Sequence, residues 1–126
     1  MEQKYFLKLT GVHGESENPR HYGEIEILGF SWGGDHVNSA GGRGRASFND
    51  LNVMKMADRS SHFLFVARNS GQYFAEGVLT VEEIAEWKSV VRTTKIEMYS
   101  ILISAFTSDG ETDSFGLNFG SLRMVS

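Results

Sequence analysis

The chain has 126 residues, 40% of them hydrophobic and 22% charged, a composition that fits one globular domain burying about two-thirds of its unfolded surface. Its net charge of -4 argues against nucleic acid or an anionic membrane as a partner, and the lack of cysteine excludes disulfides, thiol catalysis and zinc–cysteine sites. Neither the N-terminal MEQKYFLKLT nor any later stretch has the apolar length of a signal peptide or a membrane span. The expectation is a chain made in the cytoplasm, with any export using a route without a cleaved signal.

Taken from the N-terminus, Tyr5 to Thr10 alternate, with Tyr5, Leu7 and Leu9 on one face and Phe6, Lys8 and Thr10 on the other. Phe6 makes the start apolar on both sides, which predicts a short strand covered on part of its second face. Gly11 to Tyr22 is a polar loop holding His13, His21 and the only proline, Pro19. Ordered loops of this length tend to carry function. Gly23 to Gly34, GEIEILGFSWGG, begins as a two-residue alternation of Ile25 and Ile27 against Glu24 and Glu26, and then slips. Leu28, Phe30 and Trp32 carry the large apolar groups, while Gly29, Ser31 and Gly33 take the other side. A strand that keeps one face in the core changes parity only through an extra residue, so one long strand bent at a β-bulge is predicted. Asp35 to Gly44 reads as a mobile, glycine-rich linker.

Ala46 to Met56 repeats the device: Ala46 and Phe48 share one parity, Leu51 and Val53 the other, with Asn49 and Asp50 at the slip. Asp58 to Gly71 is predicted to be a helix of two to three turns, capped by Ser60 or Ser61, buried through Phe63, Leu64, Val66 and Ala67, and stopped at Gly71. Phe74 to Val81 is a strand with Gly77, Leu79 and Val81 in phase. Over Glu82 to Arg92 the spacing of Ile84, Trp87 and Val91 predicts a helical turn, with Thr80 and Glu83 as a capping box, although Val90-Val91 favours strand. Thr94, Ile96 and Met98 alternate, and the pattern slips before Ile101 and Ile103. Ser108-Asp109-Gly110 is a turn, and Ser114 to Val125 is a last strand that slips at Gly120-Ser121. Four long strands, each with a parity slip, predict a mainly β fold: a closed β-barrel or two-sheet sandwich of bulged strands with one short flanking α-helix, in a single domain over residues 1–126.

Residues with chemical potential are few. His13 and His21 share a loop with Glu15 and Glu17, but their spacing matches no metal motif and no metal or cofactor is expected. His36 and His62 read as surface residues. Glu24 and Glu26 lie roughly 7 Å apart on one strand face, a distance at which carboxylates can hydrolyse glycosides, yet a solvated face is the simpler reading. The GGRGR run at Gly41 to Arg45 lacks the lysine and hydroxyl of a phosphate loop, and Ser100 and Ser104 read as packing residues. Glu111 and Asp113 read as hairpin solvation. What stands out is a surface: strand faces of glycine, serine and asparagine are tolerated where another backbone or molecule comes close. That pattern points to an assembling subunit or a binding module and away from an enzyme.

The run Phe6-Leu7-Lys8-Leu9, then Gly11-Val12, Gly14-Glu15-Ser16, His21, Gly23 to Leu28, and Ser31-Trp32-Gly33, resembles the haemolysin-coregulated protein (Hcp) family of type VI secretion systems. Asp50-Leu51, Asp58 to Ser61, Val78 to Val81 and Leu117-Asn118-Phe119 extend the likeness over nearly the whole chain. The resemblance implies a tail-tube-like fold and homohexameric rings stacked into a secreted inner tube, enclosed by a contractile sheath and tipped by a spike protein. It further implies that small effector proteins can be carried in the lumen. By position it places Gly14, Glu15, Ser16, Glu17, Arg20 and His21 in a loop reaching the neighbouring ring, and Gly29, Ser31 and Gly33 on the lumen face. The segment Glu82 to Thr93 departs from the family pattern. The alternatives are a monomeric ligand-binding β-sandwich and a tail-tube subunit of a phage-like contractile particle.

Overall fold

The computed structural model describes residues 2–32 and 50–126. Gly33, Gly34, His36, the glycine-rich linker, GGRGR and the start of the strand predicted from Ala46 lie outside the described residues. The elements are β1 (Glu2–Leu9), β2 (Ile25–Ile27), β3 (Gly29–Trp32), β4 (Asp50–Met56), α1 (Ser60–Ser70), β5 (Tyr73–Ile84), β6 (Val90–Ser108) and β7 (Thr112–Val125). The strands make one antiparallel seven-stranded sheet in the order β2-β1-β5-β6-β7-β4-β3. A separate second sheet, one of the two predicted architectures, is not found among the described residues.

The two outer strands of this order are halves of one bent segment. Ile25 and Ile27 pair with Leu7 and Tyr5 of β1, whereas Gly29 to Trp32 pair with Met54 to Leu51 of β4. Leu28 is the crossing residue, and its N–H donates to the Met54 carbonyl at 2.7 Å. The sheet therefore curls until both its edges meet in residues 25–32, and the predicted parity slip is the point of exchange. Leu28 was expected with the large apolar side, but it is 53% exposed, because the residue at the crossing faces neither sheet half. Of the other two, Phe30 is half-buried against the core and meets Tyr5 edge-on at 5.5 Å, whereas Trp32 meets Phe119 at 6.2 Å but stays 38% exposed at the end of β3.

A second bend crosses three strands at one level. Phe74 pairs with Ile101 and Glu76 with Tyr99, which leaves Ala75 opposite Ser100. Tyr99 pairs with Ser121 and Ile101 with Phe119, which leaves Ser100 opposite Gly120. Ser100 has a φ of 57°, and a Cβ on Gly120 would lie 3.3 Å from the Ser100 Cβ. Core parity changes across this line in each strand: Phe74 to Gly77, Met98 to Ile101, and Phe119 to Leu122. Three aligned slips form a crease that folds the sheet over its own core of Leu7, Leu9, Ile25, Leu51, Val53, Leu79, Ile96, Met98, Ile101, Phe115 and Leu117. A further register shift follows in β6 between Ile103 and Ala105.

Helix α1 closes one flank through Leu64 and Ala67, both buried, and ends at Gly71 with φ 71°. Phe63 and Val66, predicted to share that face, are exposed, because the buried stripe of the helix runs through Ser60, Leu64 and Ala67. Neither Ser60 nor Ser61 is the N-cap; the Asp58 carboxylate accepts the Ser60 N–H at 2.8 Å instead. The helical turn predicted over Glu82 to Arg92 is absent. Glu82 pairs with Thr93 and Glu83 with Arg92, so both residues continue a hairpin whose turn is Ala85–Ser89. Cross-strand pairing and the β-branched Val90-Val91 outweigh the helical spacing, and Trp87 sits 74% exposed at the tip.

Candidate assembly interface

The loop 11–24 is a closed lasso. Gly14 N–H donates to Gly23 O at 2.8 Å, Ser16 N–H to Glu24 O at 3.0 Å, and Gly23 N–H to Ser16 O at 2.9 Å. Asn18 caps a 3-10 turn at Pro19–His21, its side-chain oxygen accepting the Arg20 N–H at 2.9 Å. The residues expected to face a neighbouring ring divide into two sets. Gly14, Ser16 and His21 are buried, whereas Glu15, Glu17 and Arg20 are exposed, as is Tyr22. Glu15 accepts from the backbone N–H and the guanidinium of Arg59 at the start of α1. Between loop and helix lies a polar cleft of about 360 Å³ lined by His13, Glu15, Glu17, Tyr22 and Arg59.

Beneath the lasso is a buried ionic network that the sequence reading missed. Glu82 of β5 accepts from Arg20 Nε at 3.2 Å and Nη2 at 3.0 Å, and it meets His21 Nε2 at 2.6 Å. His21 Nδ1 faces Glu24 Oε1 at 3.1 Å, and the ring stacks on Phe6 with centroids 4.2 Å apart. The Arg20 hydrogen bonds, aided by His21, outweigh burial and hold the Glu82 carboxyl below its ordinary value of 4.5. Phe6, predicted to be covered on its second face, is covered by this imidazole.

A second buried cluster joins β4, β7 and α1. The Lys55 ammonium lies 2.9 Å from Asp113 Oδ2 and 2.9 Å from Asp58 Oδ1, and it donates to Ser61 Oγ at 3.0 Å. The Ser61 hydroxyl also donates to Asp113. Burial pushes the Asp113 carboxyl up, but the Ser61 hydroxyl and the Lys55 charge oppose it and hold it below 3.8. Asp113, expected to solvate a hairpin, is instead fully buried, and only Glu111 of that pair is exposed. The signal was present in the parity: Lys55 is in phase with Leu51 and Val53, and Asp113 with Phe115 and Leu117.

The small face of β3 is solvent-facing in the single chain. Ser31 is exposed and pairs with Asn52, which pairs in turn with Gly116; Gly29 pairs with Met54, and a Cβ there would meet nothing within 4 Å. Asn118 and Asp50 continue the face with a hydrogen bond of 2.7 Å. Ser31→Gln is therefore expected to change stability by less than about 0.5 kcal/mol. A thermal melt displaced by several degrees would contradict this placement.

The remaining candidates disperse. Glu24 is engaged by His21 while Glu26 is exposed and its side chain has no hydrogen-bond partner among the described residues, so the two are not held together as a carboxylate pair. His62 is exposed, and no group of metal-ligating side chains occurs among the described residues. No helix among the described residues is long and apolar enough to cross a membrane.

Residues 6–125 match the family model described as type VI secretion system effector, Hcp. The chain is 29% identical over 130 residues to protein hcp1 of Pseudomonas aeruginosa, covering 94% of this chain and 80% of that protein. Its fold is similar to the crystal structure of Hcp1 from Salmonella typhimurium, with a TM-score of 0.79 at 23% identity, over 98% of this chain and 85% of that one. It is also similar to a type VI secretion system effector from Yersinia pestis, with a TM-score of 0.70 at 17% identity over 96% of both chains.

Proposed function

The chain belongs to the Hcp family of type VI secretion system effectors, and from that premise we propose that it is the ring-forming subunit of the system's secreted inner tube. The observation that carries this reading is the family match across residues 6–125, joined to a sheet whose two edges meet in one bent segment. In this reading the curled sheet is a closed barrel, six chains form a ring, and rings stack through loop 11–24. The face of Gly29 and Ser31 lines the lumen, where small effector proteins travel. The sheath would surround the tube and the spike protein would tip it. The protein acts by assembly and not by catalysis, and it leaves the cell through the secretion apparatus.

The exposed side chains fit such contacts. Tyr22 is 78% exposed beside Glu15, Glu17 and Arg59, giving an aromatic group within mixed charges. Light scattering on the purified chain, combined with negative-stain microscopy, is expected to give particles of about six chains and ring-shaped images. A strictly monomeric species at high protein concentration would overturn the proposal.

A further inference from the structure

We propose that loop 11–24 is a latch controlled by one buried carboxylate, Glu82, and that Arg20 and His21 are positioning residues for the loop and not its contact surface. Phe6, Thr80 and Glu82 lie on the side of β1 and β5 opposite Leu7, Leu79 and the core, yet all three are buried. Phe6 lies beneath the His21 ring, and Glu82 beneath Arg20 and His21. The lasso keeps its own shape through the Gly14–Gly23 and Ser16–Glu24 backbone bonds, so it can move as a unit. Gly11 at φ 85° and Gly23 at φ 79° flank it, and both adopt the left-handed region that glycine alone enters freely. Among the described residues its ionic side-chain anchors to other elements are two, Glu15 to the exposed Arg59 and Arg20 with His21 to the buried Glu82, beside the apolar contacts of Val12 with the core and of His21 with Phe6. Exposed pairs contribute little, so the buried anchor decides whether the loop stays down.

The groups facing Glu82 are Arg20 and His21 from the loop, Lys4 directly opposite on β1 and Thr93 opposite on β6; Glu24 faces His21. Because the Glu82 carboxyl is held below 4.5, the stabilisation it contributes is present above that value and is lost as pH falls through its lower folded value. Acid then releases the loop while the sheet, held by its ladders and core, remains. In the ring reading, the contact residues Glu15, Glu17 and Tyr22 lose their fixed positions, and stacking fails before the ring does. Only that consequence rests on the ring reading.

Hydrogen exchange read by mass spectrometry on the intact chain tests the latch, whatever its assembly state. Arg20→Ala and Glu82→Gln are expected to speed exchange in peptides covering 12–24 by roughly tenfold to a hundredfold, the range for losing charge-assisted hydrogen bonds, with β4 to β7 unchanged. Arg20→Lys is expected to fall between, since an ammonium cannot form the two-pronged contact. Unchanged loop exchange in Arg20→Ala overturns the proposal, as does acceleration of loop and sheet together in both variants. Acid opening that persists equally in Glu82→Gln overturns it too, because another group would then control the loop. A rigid loop sinks the latch and leaves the ring reading standing; missing rings sink the ring reading and leave the latch.

Discussion

Lys55→Met is expected to destabilise the protein by about 3–5 kcal/mol, the range for removing one partner of a buried ion pair. Lys55 and Asp113 are both fully buried, and the ammonium is the only cation within reach of that carboxylate among the described residues. Without it, Asp113 either stays charged and buried with no cation beside it or takes up a proton, and each route disfavours the folded state at neutral pH. The loss is a large fraction of a typical domain's stability, so urea denaturation will read it as a midpoint shift. Protonation relieves an unpaired carboxylate, so the difference from the unsubstituted protein is expected to shrink in acid. The double variant Lys55→Met with Asp113→Leu is expected to recover most of the loss, since it leaves no charge unpaired. A single variant that shifts stability by less than about 1 kcal/mol would show that water reaches the cluster and that the pair is not buried in solution.

Gly14→Ala is expected to cost about 3 kcal/mol, the upper end for forced overpacking, because nothing around the site can yield. A Cβ at Gly14 would lie 2.6 Å from the Glu24 carbonyl carbon and 2.7 Å from the Ile25 Cα, all backbone atoms. Those atoms are fixed on both sides: the Glu24 carbonyl accepts the Ser16 N–H, and Ile25 pairs with Leu7. Opening the lasso to make room breaks the Gly14–Gly23 bond and lifts His21 from Phe6. The change is expected to lower the melting temperature and to expose the loop to proteolysis in the same variant. A melt within about 1 °C of the unsubstituted protein would show that the loop is not seated against β2 as described.

The parity slips were legible because a strand facing one core records every inversion in the spacing of its apolar residues. Ile25 to Trp32, Met98 to Ile101 and Phe119 to Leu122 all show theirs. The short helix was legible from Leu64, Ala67 and the stop at Gly71. The hairpin at Ala85–Ser89 was not, because Ile84, Trp87 and Val91 fit a helix turn as well as two strands joined by a bend. Only pairing with a distant partner separates the two. The two ionic clusters were hidden for a related reason. Lys55 and Asp113 are 58 positions apart, and Arg20 and Glu82 are 62 apart, so even where parity places a charge on the core side, as for Lys55 and Asp113, its partner is named only by the fold.

What the sequence determined by itself is the class of architecture: bulged strands, one flank helix, a polar loop, and a small-residue face at Gly29 and Ser31. Local periodicity carries that information, since side-chain direction alternates residue by residue. Tertiary structure alone decided how those parts are used. It set the slip at Leu28 as the meeting point of the sheet's two edges, aligned Ala75, Ser100 and Gly120 into one crease, and put Glu82 under the loop. Such pairings depend on register between segments far apart in the chain, and register is settled by which of many alternatives buries the most apolar surface with every charge partnered.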